Sequence, residues 1–334
     1  MNFKRILIPL LTFCLTLPFV SCSSSDDATT GMEEAGFIHP TIEPEFPELK
    51  SSRLQVDDQT GKVNWTSTDQ LLVFVHEKGK QPAAITEWQS YRYRFVLASD
   101  PSNTKFVQES SESKTLLLDP TKEYDWYVMY PYNETVTSPL GDGFFTIADQ
   151  TMDMNSPSAH LGAYDVMSHV LKGQKAEKKL SILLDHRATL MQFTVHNLTS
   201  ENFTPQYLEF ETQSASPSHL SGDFKIDFEK GLTVNHGKNT IRLNLDKAQS
   251  IAPNTTFKVS AIMSPFSLAS GDQFKIRVVT DKTNTLQTST MKKTISFQAG
   301  TRSSANVKVT DAPIINQEIE GWGDQGYKND NIII

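Results

Sequence analysis

Apolar and polar residues alternate with a period of two along much of this chain, and that spacing restricts it to sheet structure. Tyr91, Tyr93, Phe95 and Leu97 interleave with Arg92, Arg94 and Val96, which places the first four on one face of an extended segment. Residues 190–196 repeat the pattern, with Met191, Phe193 and Val195 on one side and Gln192, Thr194 and His196 on the other. Residues 71–75 are apolar without interruption over the length of a strand. Further strands are predicted at 62–65, 115–118, 124–130, 207–211, 222–228, 240–245, 257–263, 274–279, 294–297 and 304–310, with Gly, Pro, Asn, Asp or Ser in nearly every connection. A short helix is predicted only within 158–172. The class this implies is all-β, built as sandwiches of antiparallel sheet.

The first residues do not belong to that pattern. Lys4 and Arg5 precede a mostly apolar run, 6–20, which is broken by Pro9, Thr12, Thr16 and Pro18. It is shorter than the ~20 apolar residues a membrane-spanning helix needs, and with a small residue before Cys22 it reads as a secretory signal peptide. The segment resembles a bacterial lipoprotein signal, in which Cys22 becomes the lipidated first residue of the mature protein. The alternative is an ordinary signal peptide with an incidental cysteine. Ser25-Asp26-Asp27 resembles the signal that sends Bacteroidales lipoproteins to the outer cell surface.

The formal charge is −8, and Lys4 and Arg5 are the charged residues within 1–21, so the mature chain carries −10. An acidic protein lacks the basic footprint that phosphates require, which argues against a nucleic-acid partner. Acyl chains rather than a polybasic patch would hold it on the outer membrane. Of the two cysteines, Cys14 lies in the discarded run and Cys22 would be acylated. The mature protein then has no disulfide, no cysteine nucleophile and no cysteine-ligated zinc.

A charged, small-residue stretch at 172–179 reads as the linker between two halves. The organisation is then a signal peptide at 1–21, a lipidated, flexible tether at 22–50, an N-terminal sandwich at 51–178, a C-terminal sandwich at 179–311 and a tail at 312–334. Pro40, Pro44 and Pro47 in the tether are expected to hold the backbone extended and to keep it out of a central strand. The tail ends in Ile332, Ile333 and Ile334. Fully burying one such side chain is worth ~1.5–3 kcal/mol, so the tail either returns to the sandwich or inserts into a partner.

Several segments, in order, resemble the fimbrillin family, the subunits of surface pili and related lipoproteins of Bacteroidales. Ser52-Arg53-Leu54 followed by residues 63–74 is similar to the family's opening Thr-Arg, Trp, Gly-Asp and Ile-Gly-Val-Phe pattern, with Ser67-Thr68-Asp69 standing in for Gly-Asp. Residues 127–133 resemble its Tyr-Tyr-Pro-Tyr signature, and Asp165-Val166-Met167 its Asp-Leu-Met segment. Residues 184–190 resemble the His-x-Ala strand that opens its second domain, and 297–300 its final Phe-x-x-Gly hairpin. The resemblance implies two transthyretin-like β-sandwich domains. It also implies assembly with other pilus subunits by strand exchange, in which proteolysis removes an N-terminal strand and a neighbour's strand fills the groove. By position Arg53 is the candidate processing site; the alternative is a plain surface charge at the start of a strand. Ile332, Ile333 and Ile334 are a candidate donor strand or, equally, a docked tail.

Catalytic chemistry is not visible. The eight histidines show no metal spacing, and no Gly-x-Ser-x-Gly elbow, His-Glu-x-x-His or phosphate-binding glycine loop occurs. No cofactor is implied. The acid-and-glycine stretches 57–61 and 321–326 lack the ligand spacing of a calcium loop and read as turns. Trp126, Tyr127, Tyr130 and Tyr132 read as sandwich core, the alternative being a sugar-stacking platform. The expected function is a structural or accessory pilus subunit, not an enzyme. The competing reading is a monomeric surface lipoprotein that binds a glycan or protein ligand on a host or bacterial surface.

Overall fold

Residues 71–75 are apolar throughout because their strand is covered on both sides. Leu72 and Phe74 pack into one hydrophobic core, and Leu71 and Val73 into another. The structure, a computed structural model, describes residues 36–44, 65, 67–97, 104–109 and 114–311. Among the described residues the fold is all-β, with one short α-helix and one 3-10 turn at Ile85–Glu87, and it surrounds these two cores.

The first part of the chain supplies β1 (Thr41–Pro44), β2 (Gln70–Glu77), β3 (Ser90–Val96), β4 (Lys105–Gln108) and β5 (Glu123–Tyr130). β6 (Leu140–Ile147) and β7 (Gln150–Asp153) follow, then helix α1 (Leu161–Tyr164), β8 (Met167–Lys175), β9 (Lys179–Ile182) and β10 (Asp185–His186). Eight of these strands form one sheet in the order β10-β8-β5-β2-β3-β4-β1-β9. Its two end strands, β9 and β10, are separated in sequence only by Leu183 and Leu184. So short a link spans ~10 Å at most, so the sheet must curl until its ends approach. Inside the curl lie Ile42, Tyr93, Phe95, Phe106, Trp126 and Val128, each at most 3% exposed.

The rest of the chain runs through β11 (Thr189–Asn197), β12 (Pro205–Gln213), β13 (Ser221–Asp227), β14 (Gly231–Lys238) and β15 (Thr240–Asp246). It continues with β16 (Thr256–Met263), β17 (Phe266–Leu268), β18 (Gln273–Thr280), β19 (Asn284–Thr290), β20 (Ile295–Phe297) and β21 (Arg302–Val309). A five-stranded sheet, β19-β18-β12-β15-β7, packs against the three-stranded β16-β11-β21 and the ribbon β17-β20. Aromatic rings join the layers. Phe193 of β11 stacks on Phe210 of β12 at 4.6 Å, and Phe266 of β17 stacks on Phe274 of β18 at 6.0 Å. β6 completes a further three-stranded sheet, β14-β13-β6, while β7 runs parallel to β15, so residues 140–153 pair with strands that come much later in sequence.

Four local expectations are corrected. Within 158–172 only Leu161–Tyr164 is helical; from Met167 the chain is strand, because β8 pairs along β5 and buries Met167 and Ser168. The charged stretch 172–179 is mostly strand as well, ending β8 and beginning β9 around residues 176–178. Residues 115–118 form no strand; Leu118 makes a single bridge with Ile38, and the Leu116 N–H donates to Gln108 Oε1 at 2.9 Å. Finally, residues 41–44 do enter a sheet, between β4 and β9. Pro40 precedes that strand and Pro44 ends it, so neither removes an N–H from the residues between them.

Candidate functional site

The slot that holds β1 is built on both flanks by main chain. Ile42 pairs with Phe106 of antiparallel β4, and Thr41, Ile42, Glu43 and Pro44 pair with Lys179, Leu180, Ser181 and Ile182 of parallel β9. The Thr41 N–H donates to Lys178 O at 2.9 Å, and the Tyr93 hydroxyl donates to Pro40 O at 3.3 Å. One turn of chain earlier, Ile38 and Leu118 exchange two main-chain bonds of 2.9 and 3.0 Å. The side chain that fills the slot is Ile42, at 0% exposure among Phe106, Leu116, Leu118, Leu180 and Ile182. Burial on that scale contributes ~1.5–3 kcal/mol. The charged contact at the rim, Glu43 to Lys179 at 2.7 Å, involves side chains 29% and 62% exposed and contributes at most ~1 kcal/mol. The strand is therefore held by backbone pairing and one apolar side chain.

The aromatic signature divides between the two cores, Trp126 and Tyr130 in the one that holds Ile42, Tyr127 and Tyr132 on the other. Trp126, Tyr127 and Tyr130 are 1%, 1% and 3% exposed, and only Tyr132 is half-buried, beneath the Arg92 guanidinium at 3.9 Å. These rings fill cores and present no stacking platform. Tyr130 donates its hydroxyl to Asp69 Oδ1 at 2.9 Å, which ties the end of β5 to the residue standing in the Gly-Asp position. Trp65 packs edge-on against Phe106 at 5.1 Å and Tyr130 at 5.2 Å.

Beyond β9, the segment 185–187 makes a polar seam. His186 Nδ1 donates to Asp165 Oδ2 at 3.0 Å, with side chains only 5% and 3% exposed. His169 Nδ1 donates to Asp185 Oδ2 at 3.0 Å, and this bond holds the Asp185 carboxyl below the usual carboxylate range. Arg187 Nε donates to Ser168 Oγ at 2.7 Å, and its Nη2 donates to Ser168 O at 3.2 Å and to Phe228 O at 2.6 Å. Burial lowers the pKa of the Arg187 guanidinium, while Asp185 and Asp227 oppose that shift. Arg187 thus fastens β8 to the turn between β13 and β14. Asp165 and His186 fall in two motifs whose spacing in sequence gave no sign that they meet.

Cys22, Arg53, Ile332, Ile333 and Ile334 lie outside the described residues, as do the turns at 57–61 and 321–326. Among the described residues no group of three His, Cys, Asp or Glu side chains could hold a metal ion. Sequence reasoning missed β1 because it weighed Pro40 and Pro44. The signal that could have found it is the single buried aliphatic, Ile42, between the polar Thr41 and Glu43.

No curated protein sequence matches the chain. Among solved structures, a protein of Bacteroides ovatus described in connection with cell adhesion is similar at 15% identity and a TM-score of 0.55, covering 86% of this chain and 98% of that one. A second, from Bacteroides uniformis and described in the same terms, is similar at 14% identity and a TM-score of 0.51, covering 86% of this chain and 99% of that one. At such identities the likeness is one of fold. The sequence profile of the fimbrillin-like family matches residues 53–322. The chain belongs to the fimbrillin-like family.

Proposed function

We propose that this protein is a structural or accessory subunit of a surface pilus, without enzymatic activity. Cys22 carries the lipid that anchors the precursor in the outer membrane, cleavage after Arg53 releases that lipid together with the first strand, and the subunit joins its neighbours by strand exchange. The observation that supports this reading most directly is the position of β1. It precedes Arg53 in sequence, lies between β4 and β9, and buries a single aliphatic side chain in the slot. A strand held chiefly by main-chain bonds can be replaced by another that offers the same bonds and a similar side chain. Its departure would expose two strand edges, which gives a subunit reason to keep the slot filled until assembly. The family membership agrees with this use of the fold. The reading as a monomeric glycan binder loses its main support, because the aromatic residues it would use lie in the cores.

The test is the intact mass and N-terminal sequence of the protein recovered from the surface of its own cells. A chain beginning just after Arg53 is the expected result. A chain that still begins at an acylated Cys22 in assembled pili would overturn processing and strand exchange for this subunit.

A further inference from the structure

We infer that β1 is also a stitch that holds the polar seam, so that the state of its slot is felt at Arg187. The inference rests on the reading of β1 as an exchangeable strand and adds a consequence within the same subunit. Among the described residues β9 has one strand partner, and that partner is β1. Every register pair that ties Lys179, Leu180, Ser181 and Ile182 to the sheet therefore runs through Thr41–Pro44. Leu180 and Ile182 are buried in the same cluster as Ile42, so loss of β1 removes both their main-chain partner and an apolar neighbour. β9 alone, four residues with the opposite edge unpaired, is too short to hold its place by pairing.

Leu184 packs against the same core, and the next main-chain and polar contacts follow after it. They are the two-residue β10 on β8, the His186–Asp165 pair, and the Arg187 bonds to Val166, Ser168 and Phe228. With β1 in place, β9 fixes where the chain enters this seam. With β1 gone, residues 179–183 become a slack link, and only the packing of Leu184 stands between it and the seam. An empty slot thus loosens the joint between the curled sheet and the β13–β14 turn, and an incoming strand tightens it again. Assembly and stiffening of the subunit become one event.

The experiment is hydrogen exchange read by mass spectrometry on the full chain and on two variants. Ile42→Asp places a charge in the buried slot, and Thr41→Pro removes the N–H that Lys178 accepts. Exchange at residues 179–187 is expected to rise by about tenfold or more, together with residues 38–44, while peptides around Phe210 and Ile276 keep their protection. Faster exchange confined to 38–44, with 179–187 unchanged, would overturn the inference, because β9 would then stand without β1. Should Ile42→Asp raise exchange everywhere, the milder Thr41→Pro decides by the same comparison of regions. Failure of strand exchange itself appears elsewhere, in the N-terminus of the surface protein, and leaves this comparison intact.

Discussion

The side-chain amide of Gln150 stands in for a strand beside Ile262. Its Nε2 donates to Ile262 O at 2.5 Å, and its Oε1 accepts the Ile262 N–H at 3.1 Å. Gln150 is 0% exposed and Ile262 2%. Ile262 lies on β16, at the edge of a three-stranded sheet, and Gln150 begins β7 at the edge of the five-stranded one. One residue therefore closes the open edge of one sheet while its backbone extends the other. His160 continues the same edge, with Nε2 donating to Ser260 O at 3.0 Å.

Gln150→Leu keeps the volume and removes both bonds, leaving a buried N–H and a buried C=O of Ile262 without these partners. Each such group costs ~1–3 kcal/mol, so a loss of about 2–4 kcal/mol is expected. Urea unfolding followed by tryptophan fluorescence checks this through the midpoint, and an unchanged midpoint would mean the amide adds nothing. Gln150→Glu should also destabilise, since a carboxylate would face the Ile262 carbonyl.

Arg187→Lys tests the seam. A lysine ammonium is a point charge on a flexible stem and cannot reproduce the fork that reaches Ser168 Oγ, Ser168 O and Phe228 O together. A loss of about 1.5–3 kcal/mol is expected even though the charge is retained. Thermal unfolding that leaves Arg187→Lys equal to wild type would show the contact to be electrostatic only.

These two residues show where reading the sequence succeeds and stops. β2, β3, β5, β11, β12 and β18 were legible because each buries alternate or consecutive side chains. β14 was not, since only Gly231 among its residues is buried and no alternation survives on an exposed edge. β6 was hidden by Gly141 and Gly143. The second is a packing requirement, for a Cβ there would come within 2.6 Å of Val136. The slot was obscured by Pro40 and Pro44, whose lack of N–H groups counts against a strand only inside it. Gln150 and Arg187 act through partners 112 and 41 residues away, a relation that no local pattern carries.

Asp272 gives the chain an acid-sensitive turn. The Ser214 hydroxyl donates to its Oδ2 at 2.7 Å, the Ala269 N–H donates to the same oxygen at 2.7 Å, and the Ala215 N–H donates to Oδ1 at 3.2 Å. Led by the Ser214 bond, these contacts hold the carboxyl below the usual carboxylate range. With the folded value depressed, the contribution is complete above the unfolded carboxylate value and disappears as pH falls through the folded one. Stability measured from about pH 6 down to about pH 2 should therefore fall less steeply for Asp272→Asn than for wild type. Parallel curves would show that the carboxylate is not part of the acid response.

The last prediction weighs what keeps β1 in its slot. Two contacts reach β9 from adjacent residues, the buried Ile42 and the Glu43–Lys179 ion pair at the rim, whose lysine is exposed. Ile42→Ala removes apolar volume from a site with 0% exposure and should cost ~2–4 kcal/mol. Glu43→Gln breaks an ion pair whose lysine is 62% exposed, and should cost less than ~1 kcal/mol. Exchange protection of residues 38–44 is expected to collapse in the first variant and to hold in the second, and in wild type to change little between low and high salt. A strand that enters this slot from another chain must meet the same demand. A synthetic peptide spanning residues 36–46 should compete for the slot, and its Ile42→Ala form should not, whereas its Glu43→Gln form should compete as well as the parent. If the ion-pair change proved the more damaging of the two, selection of the incoming strand would rest on charge at the rim and not on the aliphatic side chain inside.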